Sequence, residues 1–78
     1  MHLEIVTPDN TLFDGDADLV QLPGLDGLFE VLNHHTPMIA GLAKGKVKVI
    51  DASKKEQFYD ISGGVIEVLD NKVMVLAQ

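Results

Sequence analysis

Two adjacent histidines are the residues of this chain best suited to chemistry. His34 and His35 lie within the segment GLFEVLNHHTPMIAGL, residues 27–42, between an apolar run and a Pro-Met-Ile segment. Imidazoles bind zinc and transfer protons near neutral pH. Adjacent side chains on an extended strand point to opposite faces, so the pair could share one ion only within a tight turn. Three hypotheses follow: a metal or proton-transfer site, a surface that binds a partner, and an ordinary turn that contains imidazoles.

The histidine pair lacks the companions that a zinc motif supplies. The chain contains no cysteine and no His-Glu-x-x-His spacing, and the third histidine, His2, is far away in sequence. A turn or an interface therefore explains His34 and His35 better than a metal site does. On these grounds we expect no metal ion.

Two other polar segments also fail to match a motif. Asp14 to Asp18 alternates acidic residues as a calcium loop does, but Leu19 and Leu25 occupy the positions that require a glycine and a glutamate. Ser62-Gly63-Gly64 lacks the lysine and the helix of a phosphate-binding loop. Neither Ser62 nor Ser53 is tied by sequence to a histidine base. We therefore expect no catalytic residue, no cofactor and no enzymatic activity.

The composition limits the classes of partner. A chain of 78 residues forms one domain, residues 1–78. Because it contains no cysteine, apolar packing alone must stabilise its core, and 46% hydrophobic residues suffice for this. The net charge of −6, with no arginine and no lysine before Lys44, would repel nucleic acid. No secretory signal follows Met1, and no apolar run approaches the roughly 18 residues of a spanning helix. We expect a cytoplasmic-side protein that does not insert into a membrane.

Apolar residues recur mostly with period two, and turn residues separate them at short intervals, which predicts strands. Asp14-Gly15 is typical of a tight hairpin, and Asp70-Asn71 tolerates the left-handed dihedrals of another. Ser62-Gly63-Gly64 indicates a bulge or a close backbone approach. The pattern favours an all-β antiparallel sandwich or barrel. The predicted strands are Leu3–Ile5, Thr11–Phe13, Leu19–Leu22, Leu28–Leu32, Met38–Leu42, Lys46–Ile50, Glu56–Ile61, Val65–Leu69 and Val73–Ala77.

Large apolar residues near the predicted loops indicate a protein-binding surface. Leu28, Phe29, Met38 and Ile39 lie close to turns, and a sandwich of 78 residues has difficulty burying all of them. Exposed apolar patches of this kind usually mark contacts with other proteins.

The combination of several short segments resembles the epsilon subunits of F-type ATP synthases. No single segment is specific, but their order and spacing match over nearly the entire chain, from Leu3 to Ala77. The resemblance implies a flattened antiparallel β-sandwich of about eight to ten short strands. The matching segments are Leu3–Pro8, Phe13–Gly15, Gly27–Leu32, His35–Pro37 and Ser62–Val68.

The resemblance also implies a non-catalytic role in the rotor of a proton-translocating ATP synthase. In this family the sandwich binds the gamma subunit and the ring of c subunits, as a peripheral part of the complex at the cytoplasmic face of the inner membrane. The c-ring contact falls on Asp26, Leu28, Phe29 and Glu30. The positions similar to the family's gamma-facing surface are Leu12, His35, Thr36, Ile39, Ala40, Ser62 and Glu67.

Family members usually continue into a C-terminal pair of helices, which in some of them bind ATP. This sequence ends at Gln78, after the last predicted strand, so we expect no ATP binding and no inhibition by such helices. The alternative from another class is a free-standing β-sandwich module that binds a metal or a small ligand through the histidine loop. Stabilisation by a metal would distinguish that module from a rotor subunit.

Overall fold

The computed structural model describes all 78 residues as an all-β domain of eight strands, which confirms the predicted fold class. No helix with the length and apolar character needed to cross a bilayer is present. The strands are β1 (His2–Val6), β2 (Thr11–Gly24), β3 (Gly27–Leu32), β4 (Met38–Leu42), β5 (Gly45–Asp51), β6 (Glu56–Ile61), β7 (Gly64–Leu69) and β8 (Lys72–Ala77).

The long strand β2 joins the two layers of the sandwich. Its N-terminal part, Thr11 to Asp16, pairs with β1, and its C-terminal part pairs with β5 on residues 17–21 and with β3 on residues 19–24. One layer runs β1-β8-β7-β4 and the other contains β3, β5 and β6, with β6 on β5. A single pairing between Gly24 and Leu42 connects β4 back to β2.

The core follows the alternation of the strands. Leu3 and Ile5, Val47 and Val49, and the other inward-facing positions form one buried apolar cluster, and no polar residue is buried. The lysines between the valines of β5 remain at the surface, as the alternating pattern predicts. Burial of one face of every strand therefore fixes which residues are left on the outside.

The predicted hairpin at Asp14-Gly15 is wrong. Gly15 pairs with Leu3 in the middle of the continuous strand β2, and its φ angle is not positive. A turn here would leave Leu3 and Ile5 without their partners on β2, whereas the extended chain keeps both fully buried. Tertiary burial therefore outweighs the local turn preference of Asp-Gly.

The antiparallel arrangement holds for every strand pair except one. β1 and β8 pair in parallel, with Leu3 opposite Val73 and Ile5 opposite Val75. Almost the entire chain separates these two strands, so no short hairpin forces them to run in opposite directions.

Candidate interaction surface

The outer side of β4, β7 and β8 carries a partly apolar surface, which we call the β4-β7-β8 face. The side chain of Ile39 on β4 is 75% exposed and lies beside Glu67 on β7, which pairs in turn with Met74 on β8. The strands present these residues because their neighbours in sequence point into the core. The members of the face are Ile39, Val65, Glu67, Leu69, Met74 and Leu76.

The tip of the β2–β3 hairpin extends this face. Leu25 and Leu28 are 72% and 69% exposed, and Gly27 supplies the positive φ angle of +123° that the turn requires. The Leu25 N–H donates to the Gly41 carbonyl oxygen at 3.3 Å. A Cβ atom on Gly41 would lie only 2.6 Å from Leu25 Cδ1, so the absence of a side chain at position 41 lets Leu25 pack onto β4.

A shallow groove joins the hairpin tip to β4. Its lining includes Leu25, Leu28 and Phe29 from the hairpin and Ile39 from β4. A second shallow groove, between β4 and β7, is lined by Ile39, Glu67 and Leu69 among others. Ile39 therefore borders both grooves, and the hairpin tip and the β4-β7-β8 face form one continuous surface.

The histidine loop is a tight turn held by hydrogen bonds from its backbone N–H groups. His34 has a φ angle of 64°, and its N–H donates to Asn71 Oδ1 at 2.8 Å. The His35 N–H donates to the Leu32 carbonyl oxygen at 3.2 Å, and His35 Nδ1 lies 2.7 Å from the Thr36 carbonyl oxygen. The loop is thus tied to the turn between β7 and β8.

The histidine loop is not joined by a third metal ligand. The structure contains one group of three acidic or histidine side chains close enough to share an ion, and it consists of His2, Glu4 and Asp14. His34 and His35 are not part of it. The geometry therefore gives no support to a metal site in this loop.

The residues predicted to face the gamma subunit are only partly brought together. Ile39 and Glu67 are direct neighbours across β4 and β7, and His35 and Thr36 lie in the loop that leads into β4. Ser62 precedes β7, at the opposite end of that strand pair. These positions therefore trace the length of β4 and β7.

Two further predicted gamma contacts are turned toward the core. Ala40 lies on the other side of β4 from Ile39, and Leu12 lies on β2; both are half-buried and pack against the core cluster. These two residues offer less surface to a partner than Ile39 does.

The residues predicted to contact the c-ring all lie in the β2–β3 hairpin. Leu28 and Asp26 are exposed at its tip, while Phe29 is half-buried and packs over Gly24, where a Cβ atom would lie 2.8 Å from the ring. Glu30 accepts a hydrogen bond from Gln21 Nε2 at 3.3 Å. The four residues therefore form one compact segment.

Leu25 and Leu69 belong to the exposed surface but are not among the residues that the sequence predicts for it. Leu69 follows buried Val68, so the alternation of β7 could have placed it outside. Leu25 stands between two turn residues, and its packing on β4 depends on Gly41, which no local pattern indicates.

Two groups with shifted pKa values lie outside this surface. A side-chain hydrogen bond from Lys54, aided by the charge of Lys54, lowers the pKa of Asp18. Burial, aided by the charge of Asp51, raises the pKa of Tyr59, whose hydroxyl donates to Gln57 Oε1 at 2.6 Å. The charged partners, Lys54 and Asp51, lie at the connection between β5 and β6, away from the candidate surface.

The family model described as "ATP synthase, Delta/Epsilon chain, beta-sandwich domain" matches residues 1–78. The chain belongs to this family. The match confirms the resemblance that the sequence indicates and agrees with the all-β sandwich described above.

Relatives in this family carry the name ATP synthase epsilon chain. The chain is 42% identical over 76 residues to the protein of Chlorobium limicola, covering 97% of this chain and 86% of that protein. It is 45% identical over 78 residues to the protein of Nitratidesulfovibrio vulgaris strain DP4, covering 100% of this chain and 58% of that protein. The share of a relative that this epsilon-type domain spans therefore differs between relatives.

Solved structures show the same fold. A chain of the Euglena gracilis mitochondrial ATP synthase superimposes with a TM-score of 0.91 at 24% identity, covering 99% of this chain and 49% of that chain. A chain from the central stalk and c-ring structure of the Tetrahymena thermophila mitochondrial ATP synthase gives a TM-score of 0.82 at 16% identity, covering 100% and 63%. At these identities the likeness establishes the fold of the epsilon-type domain.

Proposed function

We propose that this domain is a non-catalytic central-stalk subunit of a proton-translocating F-type ATP synthase. In that role it binds the gamma subunit and the c-ring at the cytoplasmic face of the inner membrane and helps couple proton flow to ATP synthesis. Membership of the epsilon family supports the role. The structural observation that carries it is the continuous apolar surface formed by the β4-β7-β8 face and the hairpin tip.

The gamma subunit contacts the β4-β7-β8 face, and Ile39 on β4 is its most exposed apolar residue. Ile39 projects from β4, whose five residues all pair with β7, so binding immobilises little besides its side chain. Full burial of an isoleucine side chain contributes about 1.5–3 kcal/mol, which makes Ile39 the main apolar anchor. His35 and Thr36 extend the contact beyond the N-terminal end of β4, and Glu67 provides a polar neighbour.

The c-ring contacts the tip of the β2–β3 hairpin. Leu28 supplies an exposed apolar group, and Asp26 and Glu30 supply negative charge beside it. These carboxylates suit basic loops of c subunits, because opposite charges increase the association rate and orient the partners. The domain thereby uses adjoining parts of one surface for two partners.

Titration with recombinant gamma subunit, followed by gel filtration, tests the gamma contact. We expect a one-to-one complex that Ile39→Asp and His35→Asp weaken, because each substitution places a charge in the interface. Phe58→Asp is the matched control, since Phe58 is 56% exposed but lies on β6 in the other layer. No complex with folded gamma subunit, or equal weakening by all three substitutions, would contradict the proposal.

The c-ring contact is tested with Asp26→Lys, measured on purified c-ring and on gamma subunit separately. We expect weaker c-ring binding with a reduced dependence on salt, because one attractive charge becomes repulsive. Binding to gamma subunit should be retained. An unchanged c-ring affinity would refute the electrostatic part of the contact.

ATP binding is not part of the proposed function. Calorimetric titration of the 78-residue domain with ATP should show no saturable binding, because the sequence has neither arginine nor a phosphate-binding glycine loop. Clear saturable binding would overturn this expectation.

A further inference from the structure

Three potential metal ligands converge on the outer side of β1 and β2. His2 and Glu4 are two residues apart on β1 and therefore project from the same side, and Asp14 pairs with Glu4 across the two strands. His2 Nε2 lies 3.2 Å from Asp14 Oδ1 and 3.5 Å from Glu4 Oε1. One ligand atom from each of the three residues lies within 4.8 Å of the others.

The two separations from His2 Nε2 suit a tetrahedral ion. Zinc binds histidine nitrogen and carboxylate oxygen at about 2.0–2.2 Å, so the ligand atoms of a tetrahedral site lie roughly 3.3–3.5 Å apart. Both distances from His2 Nε2 already match that spacing within about 0.1–0.2 Å. We propose that His2, Glu4 and Asp14 form a binding site for a divalent transition-metal ion of the zinc class.

The strands hold this site in place before any ion binds. β1 is paired on both sides, with β2 and with β8, and Leu3 and Ile5 between and beyond the ligands are fully buried. The His2 N–H donates to the Asn71 carbonyl oxygen at 3.1 Å, which fixes the start of the strand. Ion binding therefore orders side chains only, and the entropy cost is small.

The surroundings favour a cation and leave one coordination position open. Asp16 pairs with His2 from β2, and Glu67 and Asp70 line a shallow groove that also borders His2 and Glu4. The three ligand side chains are partly exposed, so water can complete the coordination, as it does in zinc sites with three protein ligands. Lys72, next to His2 on β8, is the opposing positive charge in this groove.

Calorimetric titration of the intact 78-residue chain with zinc chloride tests the site. We expect one ion per chain, released by a chelator, and a rise of the unfolding temperature with zinc concentration because the native state binds the ion. His2→Ala should abolish binding, and Glu4→Gln should weaken it by at least about tenfold. The matched control is His35→Ala, which removes an imidazole from the histidine loop and should leave the affinity unchanged.

Two further variants test whether zinc binds at His2, Glu4 and Asp14 rather than elsewhere. The terminal amine next to His2 could itself bind zinc with that imidazole, so the double variant Glu4→Gln/Asp14→Asn is decisive: it should lose the site. Lys72→Gln should tighten binding, because it removes the nearby positive charge. No saturable zinc binding, binding retained by the double variant, or binding lost in His35→Ala would each overturn the proposal.

Discussion

Replacement of Gly64 by alanine tests the close approach of backbone between β7 and β8. Gly64 pairs with Ala77 and has a φ angle of +146°, which side-chain-bearing residues rarely adopt. A Cβ atom at this position would lie 2.2 Å from the Leu76 carbonyl oxygen. An ordinary carbon–oxygen contact is about 3.3 Å or longer, so the two strands must separate by roughly 1 Å here.

The expected loss of stability follows from that displacement. Two hydrogen bonds close to this position, from Gln78 N–H to the Gly63 carbonyl oxygen and from Ser62 N–H to the Gln78 carbonyl oxygen, are each 2.9 Å long. Their loss costs about 2 kcal/mol. The unfavourable φ angle adds about 1–3 kcal/mol, for a total of about 3–5 kcal/mol. A domain of this length has a total stability of only about 4–12 kcal/mol.

Urea denaturation followed by far-ultraviolet circular dichroism measures the effect. With a slope of about 1 kcal/mol per molar, Gly64→Ala should lower the midpoint by about 3–5 M or leave the domain unfolded without urea. Gly15→Ala is the matched control: its nearest neighbour, Phe13 Cζ, would lie 3.8 Å from the new Cβ atom. That variant should change the stability by less than about 1 kcal/mol. A loss below about 1 kcal/mol in Gly64→Ala would refute the close approach.

Three further predictions concern the ionisation of Asp18, the ionisation of Tyr59 and the turn at Asp70. Because the pKa of Asp18 is lowered in the folded state, its bond with Lys54 stabilises the fold at pH values above 3.8, the ordinary pKa of an aspartate. This contribution disappears as the pH falls through the pKa of Asp18 in the folded state. Lys54→Gln should therefore reduce stability at pH 7 but not at low pH in urea titrations. The raised pKa of Tyr59, the one tyrosine of the chain, should give a tyrosinate absorbance midpoint above pH 10.0. Stability should fall more steeply above that pH in the wild type than in Tyr59→Phe, because the lysines lose their protons in both proteins but only the wild type must also ionise a partly buried phenol. Asp70 has a φ angle of 52°, so Asp70→Val should cost about 1–3 kcal/mol in thermal unfolding, whereas Asp70→Gly should not.

Most strands could be predicted because their alternation coincides with burial. The predicted range Glu56–Ile61 is β6 itself, and Asp70-Asn71 forms the expected turn, with φ angles of 52° and 60°. Ser62-Gly63-Gly64 contains the predicted close approach. In these segments local preference and tertiary packing act in the same direction, so either one gives the correct result.

Predictions failed where the partner strand decides the conformation. Asp14-Gly15 has the composition of a hairpin, yet it stays extended because β1 needs a partner along its whole length. The parallel pairing of β1 with β8 likewise depends on strands at opposite ends of the chain. A local pattern cannot report the β1–β8 pairing, because most of the sequence separates the two strands, and it does not show that β1 pairs with residues 11–16 of β2.

The sequence predicts part of the protein-binding surface but not the metal site, because the metal site depends on strand pairing. The exposed apolar residues of the hairpin tip and of β4 are close to turns, so the sequence alone could place Leu28 and Ile39 on a protein-binding surface. The sequence offers His34 and His35 as candidate metal ligands, but they lie in a turn without a third ligand. The arrangement of His2, Glu4 and Asp14 needs the register that places Asp14 opposite Glu4. If the register between β1 and β2 shifted by one residue, the Asp14 side chain would point to the opposite side of the sheet from His2 and Glu4. The site therefore depends on strand register and not on sequence spacing.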